Sequence, residues 1–236
     1  DITNVGGDYT GNDEIPWTGG ILNGVPIINN GVEVPQMWFP PNEATALVDL
    51  TAWPVGATCR CLRPFKTYLM AYDVTQGGTR NPLMVKWSHS AAPGAVPSSW
   101  DENDPTVDAN EFVLADSTGF VVDSLPLGDL NVIYKEDQTW LQQYVGGNFI
   151  FRFAKANFTL GILAPRCVGA FTVEDSAYHF LVTPDDIVVH NGLQAKSIVE
   201  KKLRKHIFNQ LDGTNFKKSY VVHNARFSEM LFCYPV

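Results

Sequence analysis

The sequence has no run of eighteen apolar residues, few charged residues and only four cysteines among its 236 residues. The first absence argues against a transmembrane helix, which needs about 20 predominantly apolar residues. Asp1 to Asp13 are polar and Gly-rich, unlike the leader of a secretory signal peptide, so no secretion signal is expected. Charged residues make up 18% of the chain against roughly a quarter in typical domains, which argues against long exposed helices.

The cysteines lack the spacing of a metal site. Cys59 and Cys61 form a C-x-C pair, whereas Cys167 and Cys233 have no close second cysteine. A structural zinc usually takes four ligands from two close pairs, so we expect no metal. On a strand, Cys59 and Cys61 would point to the same face, where we expect small, buried hydrophobic residues. Reduced cysteines are consistent with synthesis in the cytosol.

Basic residues are scarce in the first part of the chain. The whole sequence has 17 Lys+Arg and 25 Asp+Glu, a formal net charge of -8. This balance argues against a protein whose entire surface neutralises DNA phosphates. Residues 1–150 hold 6 Lys+Arg and 18 Asp+Glu, whereas residues 151–236 hold 11 and 7. We therefore expect the two parts to face different partners.

Turn residues are abundant, with 19 glycines and 15 prolines separating short apolar runs. The prolines and glycines of residues 1–45 predict an extended assembly arm, within which Asn30-Gly31 is a hairpin signal. From residue 46 onward, runs rich in β-branched and aromatic residues predict strands. These runs are Thr58–Leu62, Thr67–Tyr72, Leu83–Trp87, Asn131–Tyr134, Trp140–Val145, Phe149–Phe153, Tyr178–Val182 and Ile187–His190. Residues 88–110 are predicted to form a loop that is too long and polar to join the core.

Similar short runs recur along the chain at uneven spacing. Asp129–Lys135 aligns with Asp185–Asn191, Leu69–Asp73 lies 62 residues upstream of the Tyr134 position, and Val188–Asn191 recurs as Val221–Asn224. Recurrence at roughly 40 to 60 residues is typical of β-propeller blades, which bury their faces against neighbouring blades. We therefore predict an all-β, mainly antiparallel fold with propeller-like blades in residues 46–236.

One segment predicts a short amphipathic helix instead. Ser197 to Glu200 has the capping-box pattern, apolar residues then recur every four positions, and Gly213 supplies a stop. The apolar residues are Val199, Leu203, Ile207 and Leu211. The opposite face carries Lys201, Lys202, Arg204 and Lys205. These cations are interpreted either as phosphate contacts or as a solvated helix face.

Carboxylates cluster in the loop at residues 101–111. They are Asp101, Glu102, Asp104, Asp108 and Glu111. Their oxygens could bind calcium, but the run lacks the order and the glycine of an EF-hand loop, so a soluble acidic loop is the alternative. The same carboxylates, or Asp185 with Asp186, could serve a glycosidase, although the sequence does not give the separation that this chemistry needs.

The remaining chemistry-bearing residues show no catalytic spacing. The five histidines lack H-E-x-x-H or H-x-H spacing, and Ser88-His89-Ser90 contains no G-x-S-x-G elbow. The histidines are His89, His179, His190, His206 and His223. Gly77-Gly78 and Gly146-Gly147 precede no helix and form no phosphate cradle. We expect no catalytic, cofactor-binding or metal-binding residues, and hence no enzyme.

Large aromatic residues are spread along the chain. They are Trp17, Trp38, Phe39, Trp53, Trp87, Trp100 and Trp140. We expect them to pack between sheets rather than to act as sugar-binding platforms.

Several segments, taken in their order, resemble virion structural proteins of short-tailed and related bacteriophages. They are Trp17–Gly31 with Pro35–Trp38, Leu83–Ser88 with Pro93-Gly94 and Ser99-Trp100, Gly146–Phe153 with Gly161–Arg166, and Asp185–Gly192 before the helix. The nearest type is a tail nozzle or tubular protein with a β-propeller domain. The resemblance implies a non-catalytic subunit that forms a ring with its own copies around the DNA exit channel, contacts neighbouring tail or adaptor proteins, and functions in genome ejection. It also implies a location in the virion tail after assembly in the host cytoplasm.

Other roles stay open at this point. A head-tail adaptor, a DNA-retaining plug, a glycan-binding or glycan-cleaving tail protein, and a cellular scaffold propeller are the alternatives. Nozzle proteins are longer than this chain, so we expect it to be part of a longer protein. A carboxylate-rich ring would let DNA slide without binding its phosphates. The arm at residues 1–45 would join subunits by adding a strand to a neighbouring sheet.

Overall fold

The computed structural model describes residues 3–4, 7, 9–11, 15–39 and 45–236. These residues form eighteen β-strands, one α-helix and one short 3-10 helix. Every strand pair in this part of the chain is antiparallel. The predicted all-β, mainly antiparallel class with one short helix is therefore confirmed.

The strands form five sheets, and within each sheet they pair in chain order. The first sheet contains β1 (Thr18–Leu22), β2 (Val25–Asn29), β3 (Gln36–Met37) and β4 (Val48–Asp49). The second contains β5 (Thr58–Phe65), β6 (Tyr68–Gln76), β7 (Thr79–Trp87) and β8 (Asn110–Val113). The third contains β9 (Val121–Leu127), β10 (Leu130–Lys135), β11 (Thr139–Tyr144) and β12 (Phe151–Lys155). The fourth contains β13 (Val168–Val173), β14 (Ser176–Val182), β15 (Ile187–His190) and β16 (Ala195–Ser197), and the fifth pairs β17 (Tyr220–Asn224) with β18 (Glu229–Cys233).

The chain divides into two compact units, residues 1–116 and residues 117–236. In the first unit, β1 packs against β5; in the second, β9 packs against β13, and β13 packs against β17. The first strand of one sheet therefore contacts the first strand of the next sheet within each unit. Four-stranded meanders with these contacts are compatible with propeller blades. Closure of the sheets into a propeller stays a prediction.

Residues 18–37, which the sequence assigns to an extended arm, contribute three strands to the first sheet. Asn23 and Gly24 have φ values of 50° and 90°, and this tight turn pairs β1 with β2. The pairing buries Leu22, Val25 and Ile27 in the core of the first unit, which an extended arm would leave in water. Asn30-Gly31 instead begins the longer connection from β2 to β3. Pro40 and Pro41 of the predicted arm lie outside the described residues.

The recurring sequence runs do not all occupy equivalent strands. Leu69–Asp73 lies in β6 and the matching Tyr134 position lies in β10, so both belong to the second strand of a sheet. His190 lies in β15, a third strand, and Val221–Asn224 lies in β17, a first strand. Short apolar runs suit any buried strand, so they align even where strand positions differ.

The helix, α1 (Lys201–Gln210), begins later than the capping box predicts. Ser197 is paired with Val188 in the sheet, and its hydroxyl donates to Asp186, so it cannot cap the helix. Glu200 is the N-cap and makes no capping side-chain hydrogen bond. The predicted apolar stripe is also only partly buried, because Leu203 is 51% exposed while Ile207 packs on the core of the second unit. The 3-10 helix follows at Phe216–Lys218.

The loop at residues 88–110 contributes to the core, contrary to the prediction from its polarity. Ala91 and Trp100 are buried in the core of the first unit. The Trp100 ring packs edge-to-face on Trp53 with 4.8 Å between centroids, and the Ala91 amide donates to the Thr67 carbonyl. These two apolar residues help to hold the polar loop on the sheet, because a buried indole removes a large apolar area from water.

Candidate functional sites

A fully buried polar cluster of the second unit joins Tyr134, His179 and His190. Antiparallel pairing of β14 with β15 sets His179 opposite His190, and Tyr134 reaches both from β10. The Tyr134 hydroxyl lies 2.7 Å from His179 Nδ1 and 2.7 Å from His190 Nε2. All three side chains are buried. Two histidines that the sequence places on separate strands thus share one hydroxyl.

The outer partners of the two imidazoles fix the direction of every hydrogen bond in this cluster. The Gly192 amide donates to His190 Nδ1, so His190 carries its proton on Nε2 and donates to the Tyr134 oxygen. His179 Nε2 lies 2.9 Å from the Pro126 carbonyl, which can only accept, so His179 Nδ1 accepts from the Tyr134 hydroxyl. Each donor then has one acceptor, provided that both imidazoles are neutral.

Burial keeps these groups in their neutral forms. Burial lowers the pKa of His179 to about 4, although its hydrogen bond to the Pro126 carbonyl acts in the opposite direction. Burial and the neighbouring His179 lower the pKa of His190 to about 3. Burial, with a smaller contribution from Asp123, raises the pKa of Tyr134 well above its usual value. The cluster is therefore a neutral hydrogen-bonded network that joins strands, rather than a charged site.

The sequence identifies these histidines only as scattered structural residues. The signal that could have paired them is the turn Thr183-Pro184-Asp185-Asp186, because antiparallel strands on both sides of that turn bring residues 179 and 190 into register. Nothing in the local sequence points to Tyr134, since its contact with the pair depends on how two sheets pack.

The carboxylates of the acidic loop contact different groups instead of converging on one point. The loop candidates Glu102 and Glu111 both bind Lys86, a residue of β7 that is only 1% exposed. Lys86 Nζ lies 2.5 Å from Glu102 and 3.2 Å from Glu111, which is its cross-strand partner on β8. Burial acts to raise the pKa of Glu102, but the hydrogen bond from Lys86 outweighs it and leaves this pKa lowered.

Of the other three loop carboxylates, two organise local turns and the third contacts strand β6. Asp101 accepts from the Asn103 amide, and Asp104 accepts from the amide and hydroxyl of Thr106. Asp108 accepts from the Tyr68 hydroxyl. Among the described residues, no group of three or more His, Cys, Asp or Glu side chains is arranged to hold a metal ion. The candidate calcium loop is thus an ionic and hydrogen-bonded surface loop in this structure.

Asp185 and Asp186, the alternative glycosidase pair, stabilise the connection between β14 and β15. Asp185 accepts from the Thr183 hydroxyl. Asp186 accepts from Ser197 and from Arg204, with 2.8 Å between Arg204 Nη1 and the carboxylate. The Asp186 carboxylate therefore fastens helix α1 to the sheet, and Arg204 is not one of the free cations of the helix.

The Ser88-His89-Ser90 run also serves the fold. Ser88 accepts from the Leu69 amide, Ser90 is hydrogen-bonded to Thr67, and His89 Nδ1 accepts from the Asp108 amide. His206 and His223 lie on the surface of the second unit. Gly77-Gly78 forms the turn between β6 and β7, whereas Gly146-Gly147 follows β11. None of these features is brought into a catalytic arrangement with another.

The aromatic residues differ in how far they are buried. Trp53, Trp87, Trp100 and Trp140 are buried, as expected for residues that pack between sheets. Trp17 is 41% exposed and Phe39 is 51% exposed, while Trp38 is partly buried. The packing prediction therefore applies to four of the seven aromatic positions.

The two compact units differ in formal charge. Residues 1–116 contain 5 Lys+Arg and 14 Asp+Glu, whereas residues 117–236 contain 12 and 11. On helix α1, Lys201, Lys202 and Lys205 are exposed. The first unit therefore has an excess of acidic residues, and the second unit carries an exposed basic helix.

Comparison with known proteins gives no assignment, since no family model matches the sequence and no curated protein is significantly similar. Within the described residues, no helix has the length and apolar character that a membrane span requires.

Proposed function

We propose that this chain is a structural component of a bacteriophage tail, of the nozzle or tubular type. Its copies would form a ring around the DNA exit channel, contact neighbouring tail or adaptor proteins in the virion, and contribute to genome ejection. The order of the segments that resemble virion structural proteins supports the tail assignment. The meandering four-stranded sheets are compatible with the β-propeller domain of that type.

The observation that carries the assembly is the division of charge along the chain. Head-to-tail contacts between copies place different surfaces against each other and can close into rings. The acidic excess of residues 1–116 and the exposed lysines of α1 provide two such surfaces. Acidic residues that stay outside the contact would repel DNA phosphates and let DNA pass without being held.

The test is the size and shape of the purified chain at low and high ionic strength, by light scattering and negative-stain electron microscopy. We expect rings that dissociate as salt increases, because salt screens contacts between exposed charges. Changing Lys201, Lys202 and Lys205 together to Glu should abolish the rings, and changing the same residues to Arg should preserve them. A chain that is monomeric under all conditions, or a Glu variant that assembles normally, would contradict the proposal.

A further inference from the structure

A cavity of about 400 Å³ lies in the first unit, where the loop at residues 98–103 covers β6 and β7. Its lining includes Pro54, Gln76, Lys86, Trp100, Asp101 and Glu102. Small-molecule sites in proteins usually have volumes of about 300–1,000 Å³. The cavity is therefore large enough for a small ligand.

Two buried polar atoms at this cavity lack partners among the described residues, and the Lys86 ammonium keeps one N–H donor beyond its two ion pairs. The Trp100 Nε1–H donor has no acceptor, although Trp100 is only 2% exposed, and the buried Gln76 Oε1 has no donor. Lys86 Nζ donates to Glu102 and Glu111, which leaves the third of its three N–H donors. Since buried polar groups are nearly always hydrogen-bonded, these groups together indicate a polar species in the cavity.

We propose that this cavity binds a small neutral polyhydroxylated ligand of the size of a single pyranose ring. A hydroxyl group both donates and accepts, so neighbouring hydroxyls can satisfy the indole N–H, the Lys86 ammonium and the Gln76 oxygen. The carboxylates of Asp101 and Glu102 lie at the same cavity and accept from further hydroxyls. They outnumber the single cation Lys86, which disfavours an anionic ligand.

Recognition at this site uses the edge of the indole. The Trp100 ring is buried and packs edge-to-face on Trp53, so it offers no open platform for stacking. Its Nε1–H is a fixed donor that costs little conformational entropy to present, because the ring is already held by the core. The inference does not depend on the proposed role in a tail, since it rests only on groups in the first unit.

The direct test follows the indole N–H resonances of the ¹⁵N-labelled full chain during titration with glucose, galactose, mannose and N-acetylglucosamine. Trp100→Phe identifies the Trp100 resonance by its loss. We expect at least one of these sugars to shift the Trp100 resonance in a saturable manner. If none of them does so, or if the indole contacts only a buried water, the proposal is wrong.

A pair of matched variants separates the hydrogen bond from general damage to the core. Trp100→Phe should weaken sugar binding about tenfold, which corresponds to the loss of one buried hydrogen bond. Trp53→Phe makes the same chemical change in the adjacent ring, whose Nε1 donates to the Ala57 carbonyl, and should leave affinity unchanged. If Trp53→Phe does not fold, Trp17→Phe replaces it, since Trp17 is 41% exposed. Equal binding by Trp100→Phe and the parent chain would overturn the proposed contact.

Discussion

The two units solve the problem of buried polar groups in different ways. The first unit buries charges beside opposite charges: Asp73 binds Arg80, and Lys86 binds Glu102 and Glu111. In the second unit, Tyr134, His179 and His190 form a neutral cluster whose members are joined by hydrogen bonds. Both arrangements avoid an unsatisfied buried group, but only the neutral cluster requires that its members stay uncharged.

This difference determines how each unit responds to changes in its surroundings. A buried ion pair fails when one partner is removed, because the remaining charge has lost both water and its counter-charge. A neutral histidine cluster fails when a proton is added, because a protonated imidazole has no acceptor site left for the hydroxyl. The first unit is therefore sensitive to deletion of a charge, and the second unit is sensitive to acid.

The largest effect is expected from the combined change Glu102→Gln and Glu111→Gln. It leaves the Lys86 ammonium buried without a counter-charge, and we expect a loss of about 3–5 kcal/mol in the free energy of unfolding. The measurement is urea denaturation of the full chain at pH 7. The matched control is Asp101→Asn with Asp104→Asn, which removes two carboxylates from the same loop but none from Lys86. A double Gln variant as stable as this control would show that the ion pairs contribute little.

The next largest effect is expected from Tyr134→Phe. The change removes one hydroxyl and leaves an acceptor on His179 and a donor on His190 unsatisfied, each at a cost of about 1–3 kcal/mol. We expect a combined loss of about 3 kcal/mol, measured by the same urea denaturation. The control is Tyr178→Phe, because Tyr178 precedes His179 in β14 and is less buried than Tyr134. This change should alter stability by less than about 0.5 kcal/mol. Similar losses in the two variants would contradict the network.

A third prediction concerns pH. The folded-state pKa values of His179 and His190 are about 4 and about 3, below the value of 6.5 for a free imidazole. The unfolded chain therefore binds protons first as pH falls below 6.5, so stability declines until pH reaches these folded-state values. For two histidines we expect a loss of about 2 kcal/mol between pH 6.5 and pH 5.5.

Denaturation curves recorded at pH 7.5, 6.5 and 5.5 measure this effect directly. His206→Gln alters an exposed helix residue and should leave the profile unchanged. A stability that is flat across this range would mean that the two imidazoles are already charged in the folded state or are reached by water.

The smallest effect is expected for the thiols. Cys59 and Cys61 of the first unit are buried, as is Cys167 of the second, whereas Cys233 is partly exposed. Burial raises the pKa of Cys167 to about 12 and raises that of Cys59 as well, so neither forms the reactive thiolate. A water-soluble thiol reagent should modify Cys233 more than about tenfold faster than the other three cysteines. Mass spectrometry with Cys233→Ser as control tests this, and fast labelling of Cys59 would contradict the described packing.

Much of the strand pattern could be predicted from local sequence. Runs such as Leu83–Trp87 and Ile187–His190 lie inside observed strands, because β-branched and aromatic residues between turn signals favour extended backbone. The capping box at Ser197 was a wrong prediction, since pairing with Val188 uses Ser197 in a sheet. The arm at residues 1–45 was predicted from its prolines and glycines with a hairpin at Asn30-Gly31, whereas the turn that pairs β1 with β2 lies at Asn23-Gly24.

The polar sites could not be predicted in this way, because each site depends on residues from several strands. The acidic loop was visible in the sequence, but its partner Lys86 was not, since the β7–β8 register decides that Glu111 faces Lys86. Likewise, the burial of Trp100 beside a cavity depends on how a long loop folds over the sheet.

The sequence by itself determined the all-β class, the positions of most strands, the reduced cysteines and the uneven charge. These properties depend on composition and on short-range backbone preferences, which act within a few residues. Only the tertiary structure decided that Tyr134 would join His179 and His190 and that Lys86 would be neutralised by Glu102 and Glu111. Those contacts join residues far apart in the chain, and they form because packed sheets exclude water and require each buried polar group to find a partner.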